Sequence, residues 1–201
     1  NTPLPARLIL ASSSTYRQQM LQRLHLPFEV ISPDVDESPT PNETPAGLAR
    51  RLALGKAQAV ASRLTATDAV VIGADQVLEL DGQPLGKPGD LPGARSQLKS
   101  LSGHCVTFHS AVSVISSVGE QISVVPCRAT FRKLDDQQIE RYLALETPFD
   151  TAGSAKAEGL GISLLARLQS DDPTAIIGLP LIALTQMLIK AGLDPLNFAQ
   201  P

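Results

Sequence analysis

The chain of 201 residues reads as an α/β protein with a mixed sheet flanked by helices. Three observations lead there. Over the first half, short apolar β-branched runs alternate with amphipathic stretches, the signature of strand–helix–strand units. The middle is β-rich, with two long runs joined by a short turn, so a purely parallel sheet is excluded. The composition, 43% hydrophobic and 18% charged, is that of an ordinary globular protein with enough chain to bury a substantial core. A single domain over 1–201, divided into two lobes at most, is expected.

The elements follow in order. Residues 7–12 (RLILAS) form a buried-type strand, and a helix follows from Thr15 with Met20, Leu21 and Leu24 on one face. Residues 28–32 (FEVIS) read as a second strand, and a polar, proline-rich loop runs on from Pro33. Thr44 and Pro45 have the chemistry of an N-cap and first-turn proline, opening a helix to about Leu64. AVVIG at 69–73 is a strand with Asp75 just past its end. QVLEL with the DGQP turn at 81–84 suggests a hairpin, and GKPGDLPG leads into a helix over 94–101. The long β runs are 106–115 and 122–133, across a Val-Gly-Glu turn, followed by a capped helix from Asp135 to Glu146. TAGSAKAEGLG (151–161) reads as a shaped loop; then come a strand over 162–168, a short one over 175–177, and a helix over 181–191. There is no internal repeat.

Charge and composition exclude several classes. With 17 basic and 20 acidic residues the net charge is −3, which gives no basic surplus for binding nucleic acid or an acidic membrane. Trp is absent and aromatics make up 3%, which argues against an aromatic-rich interaction surface. Cys105 and Cys127 cannot form a disulfide framework, and neither they nor His25, His104 and His109 show metal-ligand spacing. No stretch reaches the roughly 18 apolar residues of a membrane span, and the N-terminal apolar run is too short for a signal peptide. A cytoplasmic, reducing setting is expected.

Several residues could carry chemistry. An acid beyond the end of an apolar strand, such as Asp75, occupies the place where open α/β sheets build sites, although one isolated acid can equally cap a turn. Asp34, Asp36 and Glu37 offer hard oxygen ligands for an ion of the magnesium type, or else form a solvated acidic loop. Lys56 lies four residues after Leu52 and four before Val60, in an apolar row; it either snorkels or aims its ammonium at an anion. Arg17 and Lys87 add cations near strand ends. Acids and cations on separate elements suit phosphate chemistry, in which cations bind phosphates and a carboxylate activates water. DVDES (34–38) also has the DxDx[ST] form of aspartyl-phosphate phosphatases, but that motif must end an apolar strand, and here Pro33 intervenes.

Seven ordered blocks carry a resemblance: LILASSSTYR (8–17), DVDES (34–38), RLALGKA (51–57), VIGADQV (71–77), GKP (86–88), AGSAKAEGLG (152–161) and GLPL (178–181). Together they resemble the Maf family of nucleotide pyrophosphatases over nearly the whole chain. The resemblance implies hydrolysis of a nucleoside triphosphate to the monophosphate and pyrophosphate, dependent on a divalent cation (Mg, Mn or Co). It also implies the elongated fold shared with inosine-triphosphate pyrophosphatases, often as a homodimer. Asp75 falls on the family's proposed proton acceptor, and Ser12, Arg17, Glu37, Lys56 and Lys87 on its other active-site positions; Glu37 and Asp75 are the candidates for metal ligation. One departure is Thr15, where the family commonly has proline; Thr15 can serve as an N-cap instead.

Three further positions, Tyr16, Gln76 and Glu158, resemble the branch that hydrolyses 7-methyl-GTP, and differ from the Arg, Thr and Gln of members acting on dTTP and UTP. Physical chemistry points the same way. A carboxylate such as Glu158 can accept from the N1–H and N2–H edge of guanine, an edge that uracil and thymine lack. Methylation at N7 makes the base cationic, so stacking on Tyr16 gains a cation–π contribution of about 0.5–2 kcal/mol. The alternatives are dTTP/UTP hydrolysis, or a nucleotide-binding regulator of cell division.

Overall fold

The computed structural model describes residues 3–65 and 68–200. The chain runs β1 (Arg7–Ala11), α1 (Thr15–Gln22), β2 (Glu29–Val30), α2 (Pro45–Ala61), β3 (Ala69–Leu80), β4 (Gln83–Leu85), α3 (Leu91–Leu101), β5 (Cys105–Ser116), β6 (Gly119–Phe131) and α4 (Asp136–Glu146). Two 3₁₀ turns (Ala152–Ser154 and Leu160–Leu164), β7 (Leu165–Gln169), a third 3₁₀ turn (Ala175–Ile177), α5 (Leu181–Lys190) and α6 (Pro195–Phe198) complete it. The strands form one mixed seven-stranded sheet in the order β2-β1-β3-β5-β6-β7, with β4 paired to β3. β1 is parallel to β2 and β3, and the other pairs are antiparallel.

Side chains alternate across a strand, and β3 uses both faces. Val71 and Val77 pack toward α2, against Ala57 and Val60 and against Leu48, Leu52 and Ala53 respectively. Val70, Ile72 and Ala74 face the opposite side and join Met20 and Leu21 of α1 and Leu184 and Leu188 of α5. Further along that side, Leu78 packs with Leu98 of α3 and Ile139 and Leu143 of α4. Each such leucine or isoleucine contributes about 1.5–3 kcal/mol by leaving water.

The parallel ladder between β1 and β3 ends at Ala11↔Gly73, and the β4 ladder begins only at Leu78↔Leu85. Among the described residues no strand therefore flanks Ala74–Val77 on that side, while β5 pairs continuously along the other. Asp75 is accordingly in the middle of β3 and not past its end. The long antiparallel partner β5, which pairs Asp75 with Ala111, carries the strand on to Leu80. On the parallel side, however, Asp75 does lie two residues beyond the last pair, at the kind of opening where open α/β sheets bind ligands.

α2 rests directly on the strand backbone. A Cβ on Gly73 would lie 2.1 Å from the Ala53 carbonyl oxygen and 2.8 Å from the Ala57 nitrogen. Ser113 of β5 fixes the contact by donating its hydroxyl to the same Ala53 carbonyl at 2.8 Å.

Several boundaries differ from expectation. Residues 175–177 form a 3₁₀ turn, not a strand, because the buried Asp172 carboxylate accepts from the Thr174 amide and hydroxyl and from the Ile182 amide. Residues 160–164 are likewise a 3₁₀ turn, at whose close packing Gly161 lies against the Lys156 backbone; the strand begins at Leu165. The second strand shrinks to Glu29–Val30, both exposed. The helix from Pro45 stops at Ala61, and that expected over 94–101 starts at Leu91, capped by Asp90. The first helix is capped by Ser14, not Thr15, so Thr15 holds the first helical position, where proline is also well accommodated. No helix of the described residues is long and apolar enough to cross a membrane.

Gly73→Ala is expected to lower the urea midpoint, with a loss of about 1–3 kcal/mol or more from forcing α2 off the strand. A wild-type midpoint would show that the contact does not hold α2 in place.

Candidate active site

The contact between Gly73 and Ala53 sets the site's distances. Asp75 lies two residues beyond Gly73 on the same face of β3, and Lys56 lies one turn beyond Ala53 on the buried face of α2. Lys56 Nζ consequently donates to Asp75 Oδ1 at 2.8 Å, and the same ammonium meets Glu37 Oε1 at 2.8 Å. Lys56, placed in an apolar row, therefore does not snorkel to solvent but aims its ammonium at two carboxylates. Side-chain exposure is 6% for Lys56 and 9% for Asp75 but 55% for Glu37, so the ion pair is buried and Glu37 closes it from the solvent side.

The two acids respond differently to this setting. Burial pushes the Asp75 carboxyl above its ordinary value, outweighing the charges of Lys56 and Arg17 and the Lys56 hydrogen bond. Burial acts upward on Glu37 too, but the Lys56 hydrogen bond and the charges of Lys56, Lys87 and Arg17 outweigh it and hold Glu37 below the usual carboxylate range. Burial lowers the Arg17 guanidinium against the pull of Asp75 and Glu37. An arginine remains charged even so.

These groups line a cavity of about 310 Å³ bounded by Ser12–Arg17, Pro33, Glu37, Lys56, Asp75, Gln76, Lys87 and Asp150. That is at the small end of ligand pockets, which run from about 300 to 1,000 Å³. Ser12, buried at the end of β1, accepts from the Ser14 amide at 3.1 Å and turns the chain into α1. Ser14 accepts from the Arg17 amide at 3.4 Å, and Arg17 Nε donates to the Gly178 carbonyl at 3.0 Å. The N-terminus of α1 therefore opens onto the cavity, where its free amides favour an anion. Lys87 comes from an exposed loop tied down by Gln97 donating to the Gly86 carbonyl at 2.7 Å and by Gly89 donating to Phe149 at 3.0 Å.

Of the three expected selectivity residues, two are here. The Gln76 amide NH₂ donates to Ser110 Oγ and to the Ala175 and Ile176 carbonyls, at 3.1, 3.0 and 2.9 Å. This network fixes the amide orientation, with the NH₂ turned to these acceptors and the carbonyl to the other side. Tyr16 is half-buried, with its hydroxyl 3.4 Å from both oxygens of Asp150 and Lys156 Nζ 5.9 Å from its ring centroid. Glu158 is not brought into the cavity. It is exposed on a tight turn closed by the Gly159 amide donating to the Lys156 carbonyl at 3.0 Å. Asp150, by contrast, lines the cavity although nothing in the sequence singled it out beyond its place at the head of the glycine-rich loop.

Comparison with known proteins bears on this arrangement. Residues 7–191 match the family described as Maf-like protein. The chain belongs to the Maf family. This Maf protein is 58% identical over 194 residues to the 7-methyl-GTP pyrophosphatase of Bordetella pertussis, covering 96% of each chain. It is 60% identical over 191 residues to the protein of that name in Bordetella avium, covering 95% of this chain and 96% of the other. The Cupriavidus pinatubonensis protein of the same name is 55% identical over 194 residues, again with 96% of each chain covered.

Asp75 and Glu37 are hard oxygen donors, the kind that magnesium-type ions take. Asp75 and Glu37 each turn a carboxylate oxygen to one cationic point, the Lys56 ammonium. Among the described residues no group of three or more His, Cys, Asp or Glu side chains could hold an ion. Ser12 lines the same cavity, its hydroxyl accepting from the Ser14 amide.

Because Glu37 titrates below its unfolded value, its pairing stabilises the fold at neutral pH, and that contribution disappears as pH falls through the folded value. Lys56→Gln is expected to move the Glu37 titration upward, observable by carbon NMR of the carboxyl group. An unshifted Glu37 would show that Lys56 does not hold it.

Proposed function

We propose that this Maf protein hydrolyses 7-methyl-GTP to 7-methyl-GMP and pyrophosphate. The observation that carries the reading is the buried Lys56–Asp75 pair closed by Glu37, set beside a helix N-terminus and two further cations. Relatives of that name at 55–60% identity support the choice of substrate.

In this reading Arg17, Lys56, Lys87 and the amides at the start of α1 bind the triphosphate and offset its charge. Asp75 and Glu37 would hold a divalent cation (Mg, Mn or Co), which when bound neutralises phosphate charge and acidifies water. Asp75 accepts the proton of the attacking water. Its raised carboxyl is a stronger base than an exposed aspartate, and burial keeps competing solvent away. Water oxygen joins phosphorus, the bridge between the α- and β-phosphates breaks, and pyrophosphate leaves. Ser12 shapes the turn that aims the α1 amides.

The base lies toward Tyr16 and Gln76. The Gln76 carbonyl accepts from a guanine donor, and the cationic methylated ring stacks on Tyr16, taking up the interaction that Lys156 makes with that ring. Glu158 accepts from the N1–H and N2–H edge, which requires the turn at 156–159 to close over the bound base.

Pyrophosphate release with magnesium or manganese, over a panel of 7-methyl-GTP, GTP, UTP, dTTP and CTP, is expected to be fastest with 7-methyl-GTP. Release mainly from UTP or dTTP would overturn the base assignment, and stoichiometric binding without release would favour a regulator. Asp75→Asn is expected to abolish turnover and keep nucleotide binding, as judged by calorimetry; retained turnover would remove Asp75 as proton acceptor. Glu158→Gln is expected to narrow the preference for 7-methyl-GTP over UTP, and unchanged selectivity would exclude it from base reading.

A further inference from the structure

Glu37 reaches the buried Lys56 from a stretch that has no helix or strand between Ile31 and Thr44. Prolines stand at 33, 39 and 41, and two non-glycine residues, Asp34 (φ 49°) and Asn42 (φ 61°), adopt left-handed backbone. Such a segment has many alternatives to the single arrangement that places Glu37 Oε1 at 2.8 Å from Lys56 Nζ.

Two arginines of the α2 region hold it. Arg63, two residues past the end of α2, donates Nη1 to the Ser32 carbonyl at 2.9 Å and Nη2 to the Pro33 carbonyl at 2.7 Å. Arg51, within α2, donates Nη2 to the Ser38 carbonyl at 2.9 Å. It also makes a bidentate pair with Glu43, Nε to Oε1 at 2.7 Å and Nη2 to Oε2 at 3.0 Å. Glu43 Oε2 in turn accepts from the Thr40 amide at 3.1 Å. The loop is thus gripped four and five residues before Glu37 and one residue after it.

The acceptors distinguish this from ordinary surface ion pairing, which contributes little. Three are backbone carbonyls of the segment that carries Glu37, and a guanidinium that bonds two acceptors at once fixes direction as well as distance. Lys56 lies between the two arginines in sequence, so one helix region supplies both the buried ammonium and the grip on the loop of its carboxylate partner. Neither arginine lines the cavity. We infer that Arg51 and Arg63 are positioning residues that hold the 32–43 loop so that Glu37 meets Lys56 in the active site. The inference rests on the proposed place of Glu37 in catalysis.

The test is a double-mutant cycle on the full chain. Steady-state pyrophosphate release from 7-methyl-GTP is measured for Arg51→Gln, Arg63→Gln and Glu37→Gln, and for each arginine variant combined with Glu37→Gln. Urea melts check the fold, and hydrogen exchange reads the amides of residues 34–43. Each arginine variant is expected to lose about ten- to a hundredfold in kcat/KM, as misplacement of a reacting group does, with faster exchange confined to the loop. In the Glu37→Gln background the same substitutions should cost less than about twofold, because the residue they act through is gone. Arg51→Lys should recover part of the loss, since an ammonium cannot span Ser38 and Glu43 together as a guanidinium does.

Near-wild-type rates for both arginine variants would overturn the inference. So would an equal loss with and without Glu37, which would mean the arginines act elsewhere or only on stability. Full activity of Glu37→Gln alone would instead refute the role of Glu37 and take this inference with it, and that single variant tells the two failures apart.

Discussion

A lysine ammonium at 6% exposure is tolerable only with anionic partners, and among the described residues Asp75 and Glu37 supply them. Taking such charges from water costs several kcal/mol each, and removing one partner of a buried pair typically costs about 3–5 kcal/mol more than it saves. The arrangement is therefore all or nothing, and the surrounding structure is organised to keep it whole. It also leaves Asp75 poised. Its carboxyl is raised by burial although an ammonium sits 2.8 Å away, so ionising it costs the fold stability, a cost that builds as pH rises from the ordinary carboxyl value to the raised one. Strongly perturbed groups of this kind tend to cluster at functional sites.

Two backbone features make the pair possible. The approach of α2 to β3 at Gly73 is closer than any side chain would allow, and it brings Lys56 within reach of Asp75. The opening beside Ala74–Val77, between the end of the β1 ladder and the start of the β4 ladder, gives that pair a way out to substrate. A helix laid on an unbroken sheet would bury the same ion pair with no access to it.

Much of this was legible in the sequence, and the exceptions have identifiable causes. The placement of Lys56 in an apolar row was visible because helical periodicity is local, and the β3–β4 hairpin because Asp81-Gly82 carries its turn chemistry, with both residues at positive φ. The extent of β3 was not, since its continuation past Gly73 depends on pairing with the distant β5, whose Val112 to Thr107 face Ala74 to Glu79. Three apolar residues at 175–177 look like a strand, whereas Asp172 and Thr174, which bend the chain, carry the better signal for the turn found there. α6 was overlooked although Asp194-Pro195 offered a cap and a first-turn proline. Ser12, Arg17, Glu37, Lys56, Asp75 and Lys87, each visible as a motif residue, line one cavity. Asp150 and the exposed position of Glu158 depend on how a glycine-rich loop folds back, which no local pattern encodes.

Asp75 and Gln76 are adjacent on β3 and so project to opposite faces, one toward α2 and the other toward Ser110 and the 175–177 turn, yet both reach one cavity because no strand flanks them. Among the described residues they share no hydrogen-bond partner. Substitution at 76 can therefore alter recognition while leaving the environment of the neighbouring acid almost untouched. Inserting or deleting a single residue between Gly73 and Leu78 would instead exchange the two faces together and abolish both roles at once. Divergence along this strand is open to point mutation and closed to changes in length, so descendants of this chain can shift what they recognise one side chain at a time while the spacing of β3 stays frozen.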